Sequence, residues 1–385
     1  MLRREPYLPA AGEDRAQWCH VSYVDGARTR REVLRTSGTS DAYQDWQERR
    51  SADNGRTWSA PVPLADVVRQ HRDGGIVTFP NGHHFDPVLG IAYEKIMRRL
   101  WPGLPVFTFS WRDHQHPFND HAFVRENGRE VLLRYEDGPE FDPDDPFAPA
   151  FSRANRAYQG VGIAFAADGT AYHPLVCQPA GRTHTTGGVV LMRRDPADGT
   201  WRPSTQRFIA PELSSRGLLE PDAAVLRDGT ILVVMRGSNT ASTPGRKWFC
   251  VSTDGGRTLS APAEFGYHDG ARFYSPSSLH AFVRCARTGT LYWIANIVPE
   301  PPDGNSPRYP LVIAAIDEDR VAVRRDSLVV VDDRAAGEPE QLQLSNFSVL
   351  QDRDTGDIEI YVTRLGENAR HFWQAPVYRY VFSPP

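Results

Sequence analysis

An eight-residue pattern that occurs twice constrains the fold of this chain most strongly. The two copies are Ser51–Trp58 (SADNGRTW) and Ser252–Leu259 (STDGGRTL), and each is followed by Ser-Ala-Pro. In such a segment Asp accepts hydrogen bonds from its own turn, Gly supplies a positive φ, and the apolar eighth residue packs under the turn. Two copies with the same trailing residues predict one hairpin turn placed at equivalent positions of a repetitive fold.

This pattern is the Asp-box, and the chain resembles the sialidase-like β-propellers (BNR or Asp-box repeat family). The resemblance implies an all-β fold with a single propeller domain over residues 1–385. The two copies lie 201 positions apart, from Asp53 to Asp254. At about 40 to 50 residues per blade this spacing predicts an offset of four blades. The remaining sequence favours six blades, with seven as the alternative.

The composition agrees with an all-β fold. The 385 residues include 31 Gly and 31 Pro, and 40% are hydrophobic, which is enough for a sizeable core. Short β-strands are predicted throughout, among them Trp18–Val24, Val106–Trp111 and Glu130–Tyr135. Val68–Pro87 and Asp137–Tyr158 are too long for hairpin connections, so we predict that they are loops that build a site on one face.

Charge and cysteine content exclude several function classes. A net charge of −4 predicts no nucleic-acid partner, and a mean hydropathy of −0.49 predicts no membrane span. The four cysteines are scattered and favour free thiols. No signal peptide precedes the first strand, which favours the cytoplasm, although a secreted protein whose signal had been removed would begin in the same way. We expect no cofactor, and the sequence leaves the oligomeric state open.

The resemblance also assigns candidate site residues. Sialidases of this fold bind a carboxylate through three arginines, use an Asp as acid/base, and attack with a Tyr that a Glu activates. The segment Glu220–Arg236 resembles the one that carries the catalytic Glu and the second arginine. Arg308 resembles the third arginine, and Arg246 is a further candidate for substrate binding. A planar guanidinium suits this task because it pairs with a carboxylate through two hydrogen bonds.

Other positions depart from the family pattern. His20 stands where the first arginine is expected, while Asp41 lies at the position of the acid/base Asp. Phe347 replaces the nucleophilic Tyr and has no hydroxyl. Tyr274 and Tyr158 are the replacement candidates, and either could instead be a packed aromatic residue. These departures argue against standard sialidase chemistry.

Histidines are frequent in the first third of the chain, and one of them is a candidate general acid or base. They include His20, His83, His84, His114, His116 and His121. His114 and His116 flank one residue and could also bind a metal, although we expect no metal site.

These observations predict a carbohydrate-active enzyme, an exo-acting glycoside hydrolase on small acidic saccharides that contain sialic or uronic acid. The alternatives are a uronate-directed lyase and a glycan-binding propeller without catalytic activity.

Overall fold

The structure is a computed structural model that describes residues 1–40, 42–102, 119–136, 142, 145–183 and 185–385. Within these residues the chain forms six antiparallel sheets, one short α-helix and one 3-10 turn (Arg325–Ser327). The first strand, β1 (Leu2–Leu8), belongs to the last sheet. Each sheet is one blade of a sialidase-type β-propeller, so the all-β prediction is confirmed with six blades rather than seven.

The strands follow one another blade by blade. Blade 1 consists of β2 (Ala16–Tyr23), β3 (Arg30–Ser37), β4 (Gln44–Ser51) and β5 (Val62–Pro63). Blade 2 consists of β6 (Val68–His71), β7 (Gly74–Asp86), β8 (Ile91–Pro102), β9 (Asn119–Glu126) and β10 (Arg129–Leu132). Helix α1 (Pro149–Asn155) then leads into blade 3, with β11 (Arg156–Gln159), β12 (Ala164–Phe165), β13 (Ala171–Gln178), β14 (Gly188–Arg194) and β15 (Trp201–Pro203).

The second half of the chain repeats this arrangement. Blade 4 consists of β16 (Leu219–Val225), β17 (Ile231–Arg236), β18 (Lys247–Ser252) and β19 (Ala263–Glu264). Blade 5 consists of β20 (Ala281–Arg284), β21 (Leu291–Asn296), β22 (Leu311–Asp317), β23 (Ala322–Val323) and β24 (Val329–Asp332). Blade 6 consists of β25 (Ser348–Gln351), β26 (Ile358–Thr363), β27 (Val377–Phe382) and β1.

The two ends of the chain meet in blade 6 and close the ring. β1 pairs antiparallel with β27, with Leu2 opposite Phe382 and Arg4 opposite Tyr380. Because β1 and β27 lie in the same blade, opening the ring between blades 6 and 1 requires breaking the hydrogen bonds between these two strands. None of the helices among the described residues is long and apolar enough to cross a membrane.

Hydrophobic clusters fill the spaces between neighbouring blades. Leu232 and Val234 of blade 4 pack with Phe273 and Trp293 of blade 5 in one such cluster. Comparable clusters join blades 1 and 2, 2 and 3, 3 and 4, 5 and 6, and 6 and 1. Each blade therefore buries both faces against its neighbours, which is what stabilises a propeller.

The two copies of the repeated octapeptide connect the third and fourth strands of blades 1 and 4. In the first, the Asp53 carboxylate accepts bonds from the Thr57 amide at 2.9 Å and the Thr57 hydroxyl at 2.6 Å. In the second, Asp254 accepts the same two bonds from Thr258 at 2.9 and 2.7 Å. The copies thus lie three blades apart, and the predicted offset of four was wrong. Blades 2 and 3 are longer than the assumed period because of long strands and the segment that contains α1.

Two predicted loops are partly regular structure. Val68–Pro87 forms β6 and all of β7, and the end of Asp137–Tyr158 forms α1 and the start of β11. The pairing of β7 with β8 shifts register between Pro80 and His83, which is typical of a bulge that Pro and Gly tolerate. Because Pro and Gly are uncommon inside strands, the sequence of β7 resembled that of a loop. The predicted strand Val106–Trp111 lies outside the described residues.

Candidate functional site

A carboxylate and a guanidinium meet at the first two strands of blade 4. Leu219, at the start of β16, pairs with Arg236 at the end of β17, and the register shifts between Leu219 and Asp222. Glu220 lies in this irregular stretch with a φ of 40°, a left-handed conformation that non-glycine residues rarely adopt. Arg236 Nη1 donates to Glu220 Oε2 at 2.7 Å. Such strained backbone positions are frequent at functional sites.

Ser277 brings Arg236 and Arg308 together. Arg236 Nε donates to Ser277 Oγ at 2.7 Å, and Arg308 Nη2 donates to the Ser277 carbonyl at 3.1 Å. Arg236 Nη2 also donates to Asn305 Oδ1 at 3.1 Å. Glu220, Arg236, Ser277 and Arg308 are named the arginine cluster below. The structure thus brings together three of the site residues predicted from the sequence, two from blade 4 and Arg308 from the β21–β22 loop of blade 5.

The electrostatics of the arginine cluster favour an ionised Glu220. Burial alone would raise the pKa of this carboxyl, but the positive charges of Arg236, Arg308 and Lys247 lower the pKa below its ordinary value. Lys247 is fully buried and donates to the Ser278 carbonyl. Burial and the neighbouring Arg236 lower the pKa of Lys247 well below its usual range. The cluster therefore contains two guanidinium groups and one carboxylate.

His20 lies in a different environment, in the middle of β2. A Cβ atom at position 82 would lie 2.1 Å from His20 Cδ2, so only Gly82 permits this packing. Burial and the positive charges of Lys95 and Arg35 lower the pKa of His20 to about 3. The imidazole is therefore neutral at neutral pH. Its neighbours include Lys95 and the histidines of β7.

Sequence reasoning missed two buried groups of opposite charge, Lys95 and Asp222, which interact electrostatically. Lys95 Nζ donates to the Gly160 carbonyl at 3.0 Å, and Asp222 accepts the amides of Ala223 at 2.9 Å and Phe282 at 2.7 Å. Burial raises the pKa of Asp222 and lowers the pKa of Lys95. Lys95 thus connects β8 of blade 2 to the segment after β11 of blade 3, and Asp222 connects β16 of blade 4 to β20 of blade 5. The spacing Glu220-Pro-Asp222 is the only sequence signal that could have indicated this role.

Arg246 and Tyr274 form a separate contact. Arg246 makes a salt bridge with Glu264 at 2.9 Å and donates to the Phe273 carbonyl at 2.7 Å. Its guanidinium carbon lies 4.4 Å from the centre of the Tyr274 ring. These contacts explain the burial of Arg246 by packing between blades 4 and 5.

The remaining candidate residues lie in the hydrophobic core, beside aromatic side chains or outside the described residues. Phe347 is 6% exposed and belongs to the core between blades 5 and 6. Tyr158 packs against the cluster between blades 1 and 2. His121 is buried beside Phe147 and Phe151. Asp41, His114 and His116 lie outside the described residues.

Metal binding has no support in the described part of the chain. No group of three or more His, Cys, Asp or Glu side chains there is arranged to hold a metal ion. Several imidazole nitrogens near the axis, including His84 Nε2 and His173 Nε2, have no hydrogen-bond partner among the described residues. They are available to donate to or accept from a bound molecule or water.

The fold is similar to those of several solved structures. No family model and no curated protein matches the chain. A protein of unknown function from Dyadobacter fermentans aligns with a TM-score of 0.63 at 12% identity, over 99% of this chain and 98% of that one. The intramolecular trans-sialidase from Ruminococcus gnavus, in complex with oseltamivir carboxylate, aligns with a TM-score of 0.57 at 11% identity, over 95% of both chains.

A third similar structure is the α-L-arabinanase of Penicillium chrysogenum complexed with arabinobiose. It aligns with a TM-score of 0.57 at 10% identity, over 99% of this chain and 97% of that one. At such identities the likeness extends to the fold alone. The chain therefore has the six-bladed β-propeller fold that sialidases and arabinanases share.

Proposed function

We propose that this protein is an exo-acting glycoside hydrolase that binds the carboxylate of a terminal sialic or uronic acid at Arg236 and Arg308. The observation that carries the proposal is the convergence of both guanidinium groups on Ser277. Together the two guanidinium groups carry two positive charges, and the Glu220 carboxylate neutralises one of them. The carboxylate of a sugar would neutralise the other.

The geometry of Arg236 supports this role. A guanidinium has five N–H groups. Among the described residues, Glu220, Ser277 and Asn305 accept from three of them. Two N–H groups thus remain for a ligand, and the protein contacts fix the plane of the fork. Fixed donors lose less entropy when they bind a carboxylate.

The proposed chemistry differs from that of a sialidase with a Tyr nucleophile, because Phe347 lies in the core. Asp41 is the proposed acid that protonates the leaving oxygen as the glycosidic C–O bond breaks. The ionised Glu220 would stabilise the positive charge that develops at the anomeric carbon. The neutral His20 is the proposed base for the attacking water, and Tyr274 is the alternative nucleophile.

The test is turnover of a glucuronate-terminated disaccharide, a sialyllactose and an aryl sialoside, each followed by chromatography. We expect release of a saturated terminal acid from the glucuronate-terminated disaccharide or the sialyllactose and little release from the aryl sialoside. An unsaturated uronate formed from a rhamnosyl-glucuronate tested alongside, whose rhamnose would leave from C4 of the uronate, would instead identify a lyase. Binding without any turnover would identify a glycan-binding propeller, and either result would overturn the proposed hydrolysis.

Two conservative variants test the carboxylate contact. Arg236→Lys should weaken binding of the acidic substrate by about 10- to 100-fold, because an ammonium group cannot form the paired hydrogen bonds of the guanidinium. Arg246→Lys is the matched control, since Arg246 is already held by Glu264 and Phe273. Equal losses in both variants would contradict the assignment of Arg236.

A further inference from the structure

A cavity of about 460 Å³ lies between blades 1 and 2, away from the arginine cluster. It is lined by the residues that follow β2, by the β7–β8 hairpin and by the β9–β10 turn. Glu220 lies near the start of the first strand of its blade, whereas the cavity begins directly after the end of the first strand of blade 1. The two sites therefore lie at opposite ends of the propeller strands.

The charges that line this cavity balance one another. The charged lining residues are Asp25, Arg50, Glu94 and Arg125, which sum to zero. Glu94 is buried, accepts a bond from Arg31 Nη1 at 2.7 Å, and also pairs with Arg125. The buried carboxylate is thus already neutralised by the protein. The lining therefore has no net charge that could attract an ionised ligand. The free energy that such a ligand loses when it leaves water would not be recovered.

The same pairs remain useful to a ligand that both donates and accepts hydrogen bonds. A guanidinium offers only donors and a carboxylate only acceptors, so a pair of them complements a hydroxyl group in both roles. His83 also lines the cavity. Burial lowers the pKa of His83 to about 4, so its imidazole is neutral at neutral pH. A neutral imidazole both donates and accepts.

An aromatic ring forms an apolar part of the lining. Phe85 is half-buried, and a Cβ atom at position 26 would lie 3.0 Å from Phe85 Cζ. Gly26 therefore leaves space next to the ring. Gly90 and Gly128 line the mouth, and a Cβ at either position would meet nothing within 4 Å. The cavity is consequently open to a molecule from solvent.

We propose that this cavity is a second saccharide site that binds an uncharged sugar residue. The apolar C–H face of the sugar would lie against Phe85, and its hydroxyls would bond the Glu94–Arg125 pair and His83. The volume lies within the range of small-molecule pockets. The inference is independent of the arginine cluster, because the two sites share no residue.

The test uses the intact protein and titrations of methyl galactoside, methyl arabinoside and glucuronate, followed by ligand-observed NMR. Ala92 lines the cavity, so Ala92→Phe should fill it and weaken the neutral glycosides by at least about tenfold. Val88 is exposed in the same hairpin, and Val88→Phe is the matched control that should leave binding unchanged. Phe85→Leu, which keeps apolar bulk but removes the flat ring, should also weaken binding.

The results separate this site from the proposed active site. We expect Arg236→Lys to leave binding of the neutral glycosides unchanged and Ala92→Phe to leave glucuronate binding unchanged. Failure of either neutral glycoside to bind the wild-type protein, or binding that survives Ala92→Phe, would overturn the inference. Preferential binding of glucuronate in this cavity, shown by its loss in Ala92→Phe, would also overturn it.

Discussion

Arg236 Nη1 donates a hydrogen bond to Glu220 Oε2 at 2.7 Å across the first two strands of blade 4. These two residues are the first and the last of the segment Glu220–Arg236, which resembles the family segment that carries the catalytic Glu and the second arginine. The bond also explains why the buried Glu220 carboxylate stays ionised, because the positive charge of Arg236 stabilises its negative charge.

This ion pair predicts a dependence of stability on acid pH. The pKa of Glu220 is lower in the folded chain than its unfolded value of about 4.3. The unfolded state therefore binds the proton first. The stabilising contribution is present above about pH 4.3 and is lost as the pH falls below that value. Urea unfolding between pH 3 and 7 should show a shallower acid slope for Glu220→Gln than for the wild type. Parallel slopes would contradict the ion pair.

Closure of the ring predicts a strong effect of Arg30. Its guanidinium is 1% exposed and binds Asp352 and Glu359 of blade 6, each at 2.8 Å. Arg30→Met would remove the ion-pair partner of Asp352 and the nearer of the two arginines at Glu359, which keeps Arg379 at 3.5 Å. Because the Arg30 guanidinium is buried, we expect a loss of about 3–5 kcal/mol in the free energy of unfolding.

The matched control is Arg56→Met, which removes a more exposed pair between the same two blades. Arg56 lies 3.0 Å from Asp354 and is largely exposed to solvent. Its removal should change the free energy of unfolding by less than about 1 kcal/mol. Similar effects of the two substitutions would show that burial does not decide the contribution of these bridges.

Restoring a hydroxyl at position 347 should not create a sialidase. Phe347 lies in the core between blades 5 and 6 with Leu344 and Ile360. A buried hydroxyl without a partner costs about 1–3 kcal/mol. Phe347→Tyr should therefore lower stability in chemical unfolding and leave release from an aryl sialoside at the wild-type level. A gain of sialidase activity would place this side chain at the active site.

The repeated turn could be predicted from the sequence because it depends on local chemistry, whereas the six blades were predicted correctly from an offset of four blades that was wrong. Asp53 and Asp254 bind the Thr four residues later, and such turns are specified by a few neighbouring residues. The blade offset could not be predicted, since the lengths of blades 2 and 3 depend on strands such as β7 that contain Pro and Gly.

The candidate site was predictable only in part. Glu220, Arg236 and Arg308 resemble family positions, and the fold brings them together. Ser277 and Lys247 were missed, because a serine shared by two arginines and a buried lysine depend on contacts between blades. The environment of His20 was missed for the same reason, since Gly82 of the next blade allows its packing.

The neutral His20 makes a separate kinetic prediction. Because burial lowers the pKa of His20 to about 3, the imidazole can act only as a base at neutral pH. On an acidic disaccharide, His20→Ala should lower kcat by on the order of 10²- to 10⁴-fold. The wild-type pH–rate profile should show no inflection near 6.5. An unchanged kcat would assign His20 to packing and make Tyr274 the next candidate.

The most direct test of the central claim is a crystal structure of the protein soaked with glucuronate and, separately, with sialic acid. The account predicts that the carboxylate of one of these sugars lies within hydrogen-bond distance of both Arg236 and Arg308, with the anomeric carbon facing Glu220. Binding of both acids elsewhere, or with their carboxylates turned away from the two arginines, would contradict it.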